Sequence, residues 1–499
     1  MKDVTDEGIR VQYSGLIIFG TKLASVVTGM MFTLLITRNV TKHDFGIWAN
    51  VFDLLAYFTI LATAIPFWTT RFVARGKEGA TKTGFIANLA IAAISAACYL
   101  PIVFIATSVL NVESTFVGIY LVASIQIINI HTICALEGSL RAKKPQAVGY
   151  GLIIEEVSKV CLAYLLIVEL QQPLLGSMIS LVAATTIQTL YYLRILRNEF
   201  EQKIQWSYVR EWLRGSVANI YQAVGNQIAA IVFILLLSFG TPEARANYQA
   251  AITIASIIAY SSFLSFALYP KLLAENKMGD VTASLKMVLM FAIPMAAGAL
   301  AIPESFLIIL NEVYAVAAPI LVLLAIDALV IIVSQFYTFV LLGTEKLDEE
   351  AKIPLRLLIR SNIFKVFTLP YVHAAVTLPT TIYVLTSFAA GQSLDAALYV
   401  TVINMATRLA MFFALYGIMR KSVRIAVPWR SIGKYAFAAI VMGAILILLP
   451  HPTRLTLTLL SVVVGALVYG ALLLTIDRDT RTLVGDILDE VRDKMRSIT

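Results

Sequence analysis

Apolar positions in this chain run in long unbroken blocks, separated by short polar breaks. The first two blocks, Ser14–Thr37 and Phe45–Trp68, flank the polar turn Arg38–Asp44 and are followed by a basic segment, Arg71–Lys82. A block of about 20 apolar residues is long enough to cross a bilayer as a helix, so this opening stretch predicts a transmembrane helical hairpin. The same pattern continues to the end of the chain. It predicts fourteen spans, at 14–37, 45–68, 84–108, 114–138, 147–169, 174–193, 215–239, 248–270, 281–303, 316–341, 366–390, 396–419, 432–450 and 455–476. The eleventh is the least regular, interrupted by Pro370, His373 and Pro379 and preceded by an amphipathic stretch, Ile353–Lys365. Because the blocks are continuous rather than alternating in ten-residue pieces, helices are expected and not a β-barrel.

Composition agrees with this reading. Of 499 residues 59% are hydrophobic and only 14% charged, where a soluble domain is nearer a quarter charged. The net charge of +8 would suit nucleic acid in a soluble protein. Here, however, the basic residues collect on one side of the predicted spans, and the opposite loops hold only Arg38, Lys42, Arg245 and Arg454 of the 39 Lys and Arg. That is the positive-inside pattern, so the basic loops set topology and no nucleic-acid partner is expected. It places both termini in the cytoplasm and residues 241–247 outside, in a cell (plasma) membrane. The polar start, Met1–Arg10, and the length of the block after it argue against a cleaved signal peptide. Cys98, Cys134 and Cys161 lie inside apolar blocks without metal-like spacing and read as packing residues.

The chain also echoes itself. Shifted by 200, Phe72–Gly79 lies over Leu272–Gly279 with Ala, Lys and Gly coinciding, while Pro66 answers to Pro270 and Pro101 to Pro303. Weak internal symmetry of this kind marks transporters built from repeated helix bundles. The longest inner connection, Arg194–Arg214, falls where the repeat places its boundary, and Ile204, Trp206, Tyr208, Val209, Trp212 and Leu213 suit a short helix on the membrane surface. Leu483, Ile487, Val491, Met495 and Ile498 give the tail a similar apolar face.

Two short motifs carry a family resemblance. Thr37-Arg38-Asn39 through Asp44-Phe45-Gly46-Ile47-Trp48, and Pro303-Glu304-Ser305 followed by Leu310, Tyr314-Ala315 and Ala318-Pro319, resemble the polysaccharide (O-antigen type) flippases of the multidrug/oligosaccharidyl-lipid/polysaccharide (MOP) exporter superfamily. The resemblance implies an all-α polytopic membrane protein: two pseudo-symmetric six-helix lobes in a V shape plus two C-terminal helices, with the first, second, seventh and eighth spans lining a central cavity. The boundaries implied are an N-lobe over 1–196, a linker over 197–214, a C-lobe over 215–419, two appended spans over 420–476 and a cytoplasmic tail over 477–499. The implied substrate is a glycan on a polyprenyl mono- or diphosphate, flipped to the outer leaflet by alternating access, with membrane lipids and polysaccharide assembly proteins as the partners.

Ionisable residues inside apolar spans cost about 2.5–3.5 kcal/mol each on insertion scales, so they mark candidate sites. Lys22 supplies the cation that a lipid phosphate needs, and Asn219, Gln222 and Asn226 share one face of the seventh span at the corresponding place in the second half. Amides there suit sugar hydroxyls or phosphate oxygens, and equally the hydrogen bonds that join one helix to another. Asp53, on a face with Asn50 and Tyr57, and Glu156 are the candidates for ion coupling or gating, with a proton or sodium as the ion, and holding a neighbouring helix is an equal role for Asp53. Glu155 and Lys159 are spaced i, i+4 for an internal ion pair, which leaves Glu156 unpaired, and Asp327 is expected to pair with Arg408, with Asn404 a turn before it. His131 and His373 read as packed. No catalytic set, metal cluster, nucleotide loop or cofactor is expected. Two other functions compete: a drug/cation antiporter of the same superfamily, against which twelve usual spans and the basic Lys22 argue, and a membrane glycosyltransferase or polymerase, for which the outer loops are too short.

Overall fold

The computed structural model describes residues 24–109, 116–265, 278–344 and 361–481, apart from 26, 390, 424, 450–453 and 479. Lys22, the repeat window up to residue 277, most of the stretch 353–365 and the apolar face of the tail from Leu483 onward lie outside the described residues.

Only helices satisfy every backbone polar group within an apolar block, and helices are what form. They are α1 (Val27–Thr37), α2 (Lys42–Phe58), α3 (Ala64–Ala74), α4 (Ala80–Val109), α5 (Val117–Lys143), α6 (Pro145–Ala163), α7 (Pro173–Ile195), α8 (Trp206–Gly215), α9 (Val217–Ala229), α10 (Ile231–Leu235), α11 (Pro242–Ala259) and α12 (Met278–Ala301). There follow α13 (Pro303–Leu310), α14 (Ala318–Thr344), α15 (Asn362–Ser387), α16 (Ser393–Ser422), α17 (Trp429–Leu448) and α18 (Leu455–Ile476). Each of the fourteen expected spans coincides, wholly or in part, with one of these helices or a run of short ones. Nine helical stretches among the described residues are long and apolar enough to cross a membrane, and the bent pair α2–α3 makes a tenth. The chain is an all-α multi-pass membrane protein.

The irregular eleventh span forms the unbroken helix α15, with Pro370 and Pro379 inside it and Ser361 accepting from the Phe364 N–H at its start (3.0 Å). The second span bends by 53° between α2 and α3, through a 3-10 turn at Ile60–Thr63. The Asn88 side-chain amide of α4 donates to the Ala62 carbonyl there (3.1 Å), so a carbonyl at the break is satisfied by a neighbouring helix.

Packing divides the chain into two compact units, Met1–Gln249 with Leu347–Val400, and Ala250–Lys346 with Thr401–Thr499. The grouping follows contacts rather than chain order, so α9 and α15 pack on each other within the first unit. That unit has its core where α2, α4, α5 and α7 meet, around Ile47, Val51, Tyr99, Tyr120, Ile127 and Met178. In the second unit α12 packs against α14 and α17. The contact with α14 is rich in small residues, Ala292, Ala296, Ala325 and Ala328, which let helix backbones approach closely. The linker does form the short helix α8. Its Trp212 is fully buried and meets the Phe72 ring edge-on, with centroids 5.3 Å apart, while Trp206 is exposed. The three cysteines are free, and contrary to a packing role Cys98 and Cys161 are exposed.

Candidate functional site

The site is built by two helix starts. Thr41 caps α2, accepting from the Asp44 N–H (3.1 Å), and Thr241, 200 positions later, caps α11 in the same way from Ala244 (3.1 Å). The two helices begin side by side: a Cβ on Gly46 would sit 1.9 Å from the Pro242 carbonyl oxygen, so no larger residue fits without separating them. This corrects one expectation. Arg245, assigned to an outer loop, lies in the first turn of α11 and is 3% exposed. The local signal was present in Thr241-Pro242-Glu243, an N-cap followed by proline and an acid, which starts a helix at Pro242.

Arg245 reaches Asp53 of α2. Its Nε donates to Oδ2 (2.7 Å) and its Nη2 to Oδ1 (2.8 Å), a bidentate pair, and Nη1 donates to Gln249 Oε1 (2.9 Å). The guanidinium lies 5.2 Å from the Phe233 ring centre and 5.9 Å from that of Tyr248. Around the pair is a cavity of about 320 Å³, walled by Trp48, Ala49, Phe52 and Ala56 of α2, Gln227, Ala230 and Phe233 of the seventh span, and Gln249. Trp48 is held by its indole N–H, which donates to Ser177 Oγ (2.9 Å), and by the Phe52 ring at 4.7 Å. Asn50, one turn before Asp53 on the same helix, is buried and accepts from the Tyr120 hydroxyl (2.8 Å).

A second charged cluster lies on α6. Lys159 Nζ is 3.2 Å from Glu155 Oε1, the expected i, i+4 contact, but it is also 2.8 Å from Glu156 Oε2. Glu156 is therefore not the unpaired carboxylate that spacing suggested. An i, i+3 neighbour shares the face too, and an ammonium has three donors to distribute. Thr28 of α1 donates its hydroxyl to the same Glu156 oxygen (2.6 Å), and the Lys159 ammonium stands 5.8 Å from the Phe32 ring.

The remaining candidates are placed as follows. In the second unit Arg408 Nη1 donates to Asp327 Oδ2 (2.6 Å). On α9, Asn219 and Gln222 are half-buried and Asn226 is exposed, and none of the three makes a side-chain hydrogen bond among the described residues. Lys22 lies outside them. Among the described residues no cluster of His, Cys, Asp and Glu could hold a metal ion.

No protein-family model and no curated protein matches the sequence. Solved structures do. The lipid II flippase MurJ in an inward closed conformation superposes with a TM-score of 0.65 at 15% identity, over 93% of this chain and 99% of that one. The chain has the fold of the MOP superfamily transporters. An inward-facing multidrug resistance MATE family transporter of that superfamily gives 0.58 at 12% identity, over 80% and 96% of the two chains. A MOP superfamily transporter from Pyrococcus furiosus, noted for the reversed polarity of its binding pocket, gives 0.53 at 11%, over 83% and 95%. Of these three, the flippase shares the most of its length with this chain.

Proposed function

We propose that this protein is a flippase that moves a polyprenyl-(pyro)phosphate-linked oligosaccharide from the cytoplasmic to the outer leaflet by alternating access, for cell-surface glycan assembly. The observation that carries the reading is the Asp53–Arg245 pair in its aromatic-walled cavity. It is a buried ion pair between two helices, beside a cavity with aromatic walls, in the fold of a lipid II flippase. Lys22 would meet the phosphate, and the amides of Asn219, Gln222 and Asn226, which make no side-chain hydrogen bond among the described residues, would meet phosphate oxygens or sugar hydroxyls. A drug/cation antiporter is the weaker reading. Such a site needs a carboxylate free to meet an organic cation, whereas Asp53 is engaged by Arg245, and Glu155 and Glu156 by Lys159.

The test is movement of a polyprenyl-diphosphate-linked oligosaccharide in proteoliposomes, alongside efflux of organic cations. Wild type should flip the glycolipid, Lys22→Ala should abolish flipping at near-normal protein level, and Lys22→Arg should keep part of it. Cation export without glycolipid movement would make the antiporter the better reading. Coupling is proposed at Asp53 and Glu156, where a proton or sodium ion would compete with Arg245 or Lys159 for the carboxylate. Outward movement of the anionic headgroup is itself favoured by an inside-negative potential, at about 2.3 kcal/mol per charge per 100 mV. Under imposed pH or sodium gradients, Asp53→Asn or Glu156→Gln should respond less than wild type. Equal rates in all three, driven by potential alone, would remove both carboxylates from the coupling role.

A further inference from the structure

The cavity at Asp53 and Arg245 differs from an anion site in one respect. Its cation is already matched: both carboxylate oxygens of Asp53 take an N–H of Arg245, so the pair presents no net charge to a guest. A phosphate brought to this guanidinium would also be brought to the carboxylate, and would be repelled by it. An organic cation would meet the same obstacle from the other side. What the pair offers instead is a rigid alternation of donors and acceptors. A guanidinium has five N–H bonds, of which three are used on Asp53 and Gln249, and the other two have no acceptor among the described residues. The Asp53 oxygens keep lone pairs beyond the two that Arg245 takes. Beside them stand the rings of Trp48, Phe52 and Phe233.

We infer that this cavity takes one neutral sugar ring of the substrate, its hydroxyls on Arg245, Asp53 and Gln249 and its C–H face against the aromatic wall. The inference rests on the flippase reading and assigns the cavity to the glycan rather than to the phosphate. Vicinal hydroxyls both donate and accept, and so match a neutral planar ion pair, and the axial C–H face of a pyranose is apolar and matches an aromatic wall. At about 320 Å³ the cavity is at the small end of ligand pockets, which run about 300–1,000 Å³, a size for one ring and not for a chain of them.

The experiment uses the full-length protein in nanodiscs and two probes: a polyprenyl diphosphate bearing one N-acetylhexosamine, and the same lipid without sugar. Gln249→Ala and Phe52→Leu should each weaken binding of the sugar-bearing lipid about five- to tenfold, while binding of the bare lipid stays within about twofold of wild type. The bare-lipid arm also reports that each variant is folded. Equal losses for both lipids would assign the cavity to the diphosphate or to folding, and unchanged binding of the sugar-bearing lipid would leave it without a substrate role; either result overturns the inference and leaves the flippase reading intact. Wild type that binds neither lipid would overturn the flippase reading itself.

Discussion

Asp53–Arg245 in the first compact unit and Asp327–Arg408 in the second are both aspartate–arginine pairs between helices, and the two are built differently. In the first, Arg245 grips Asp53 through two nitrogens, with side-chain exposures of 4% and 11%. In the second, Arg408 reaches Asp327 through Nη1 alone and is 32% exposed, while Asp327 Oδ1 is buried with no hydrogen-bond partner among the described residues. The residue types are the same, so the difference lies in what surrounds them. Phe233, Tyr248 and Gln249 hold the Arg245 plane in register with the carboxylate, whereas Arg408, partly outside the packing, offers a single N–H. A fork held on both sides specifies geometry. A single contact specifies only charge.

The sharpest way to break this comparison is to remove one acid from each pair. Asp53→Ala leaves a buried guanidinium without its partner and should cost about 3–5 kcal/mol of stability. Asp327→Ala should cost clearly less, about 1–2 kcal/mol, because Arg408 can turn outward. Thermal unfolding in nanodiscs measures both, and equal losses would mean that the bidentate geometry adds nothing. A smaller effect comes from keeping the charge and changing the shape. Arg245→Lys should cut glycolipid transport about tenfold or more, since an ammonium cannot reproduce two parallel bonds, while Arg408→Lys should stay within about twofold. Similar transport in the two lysine variants would erase the distinction.

The smallest effect lies outside the spans, at Asp477 just after α18. Burial alone pushes its carboxyl upward, but hydrogen bonds from Lys434 Nζ (2.9 Å) and from the Thr480 hydroxyl (2.8 Å) and N–H (3.1 Å), with the Lys434 charge, outweigh this and hold it below the ordinary value. A carboxyl depressed by folding stabilises the protein above its unfolded value of about 3.9, and that contribution is lost as the pH falls through the lower folded value. Asp477→Asn should therefore lower stability by about 1 kcal/mol at pH 7, and the gap from wild type should close as the pH falls below about 4. A gap that widens in acid would reverse the assigned sign.

The positions of the helices were legible in the chain because a membrane leaves the backbone no alternative to helix, and an apolar block of about 20 residues is a local property. Caps are local as well, since Thr41 and Thr241 bond to N–H groups three residues away, but spans set by apolar blocks began at 45 and 248 and passed over both. The Glu155–Lys159 contact lies within one helix turn, so spacing alone brought those two residues together. The Asp327–Arg408 contact spans 81 residues and was reachable only by matching opposite charges in neighbouring spans. The partner of Asp53 was not legible. It lies 192 residues away, on a helix whose first turn reads as a loop when apolar blocks alone set the boundaries. Glu156 was left unpaired because spacing nominates neighbours but does not say how one ammonium divides itself between two acids. Hydropathy is written along the chain, whereas the pairing of charges depends on which helix faces which, at what depth and with which planes aligned. Tertiary packing alone decides that.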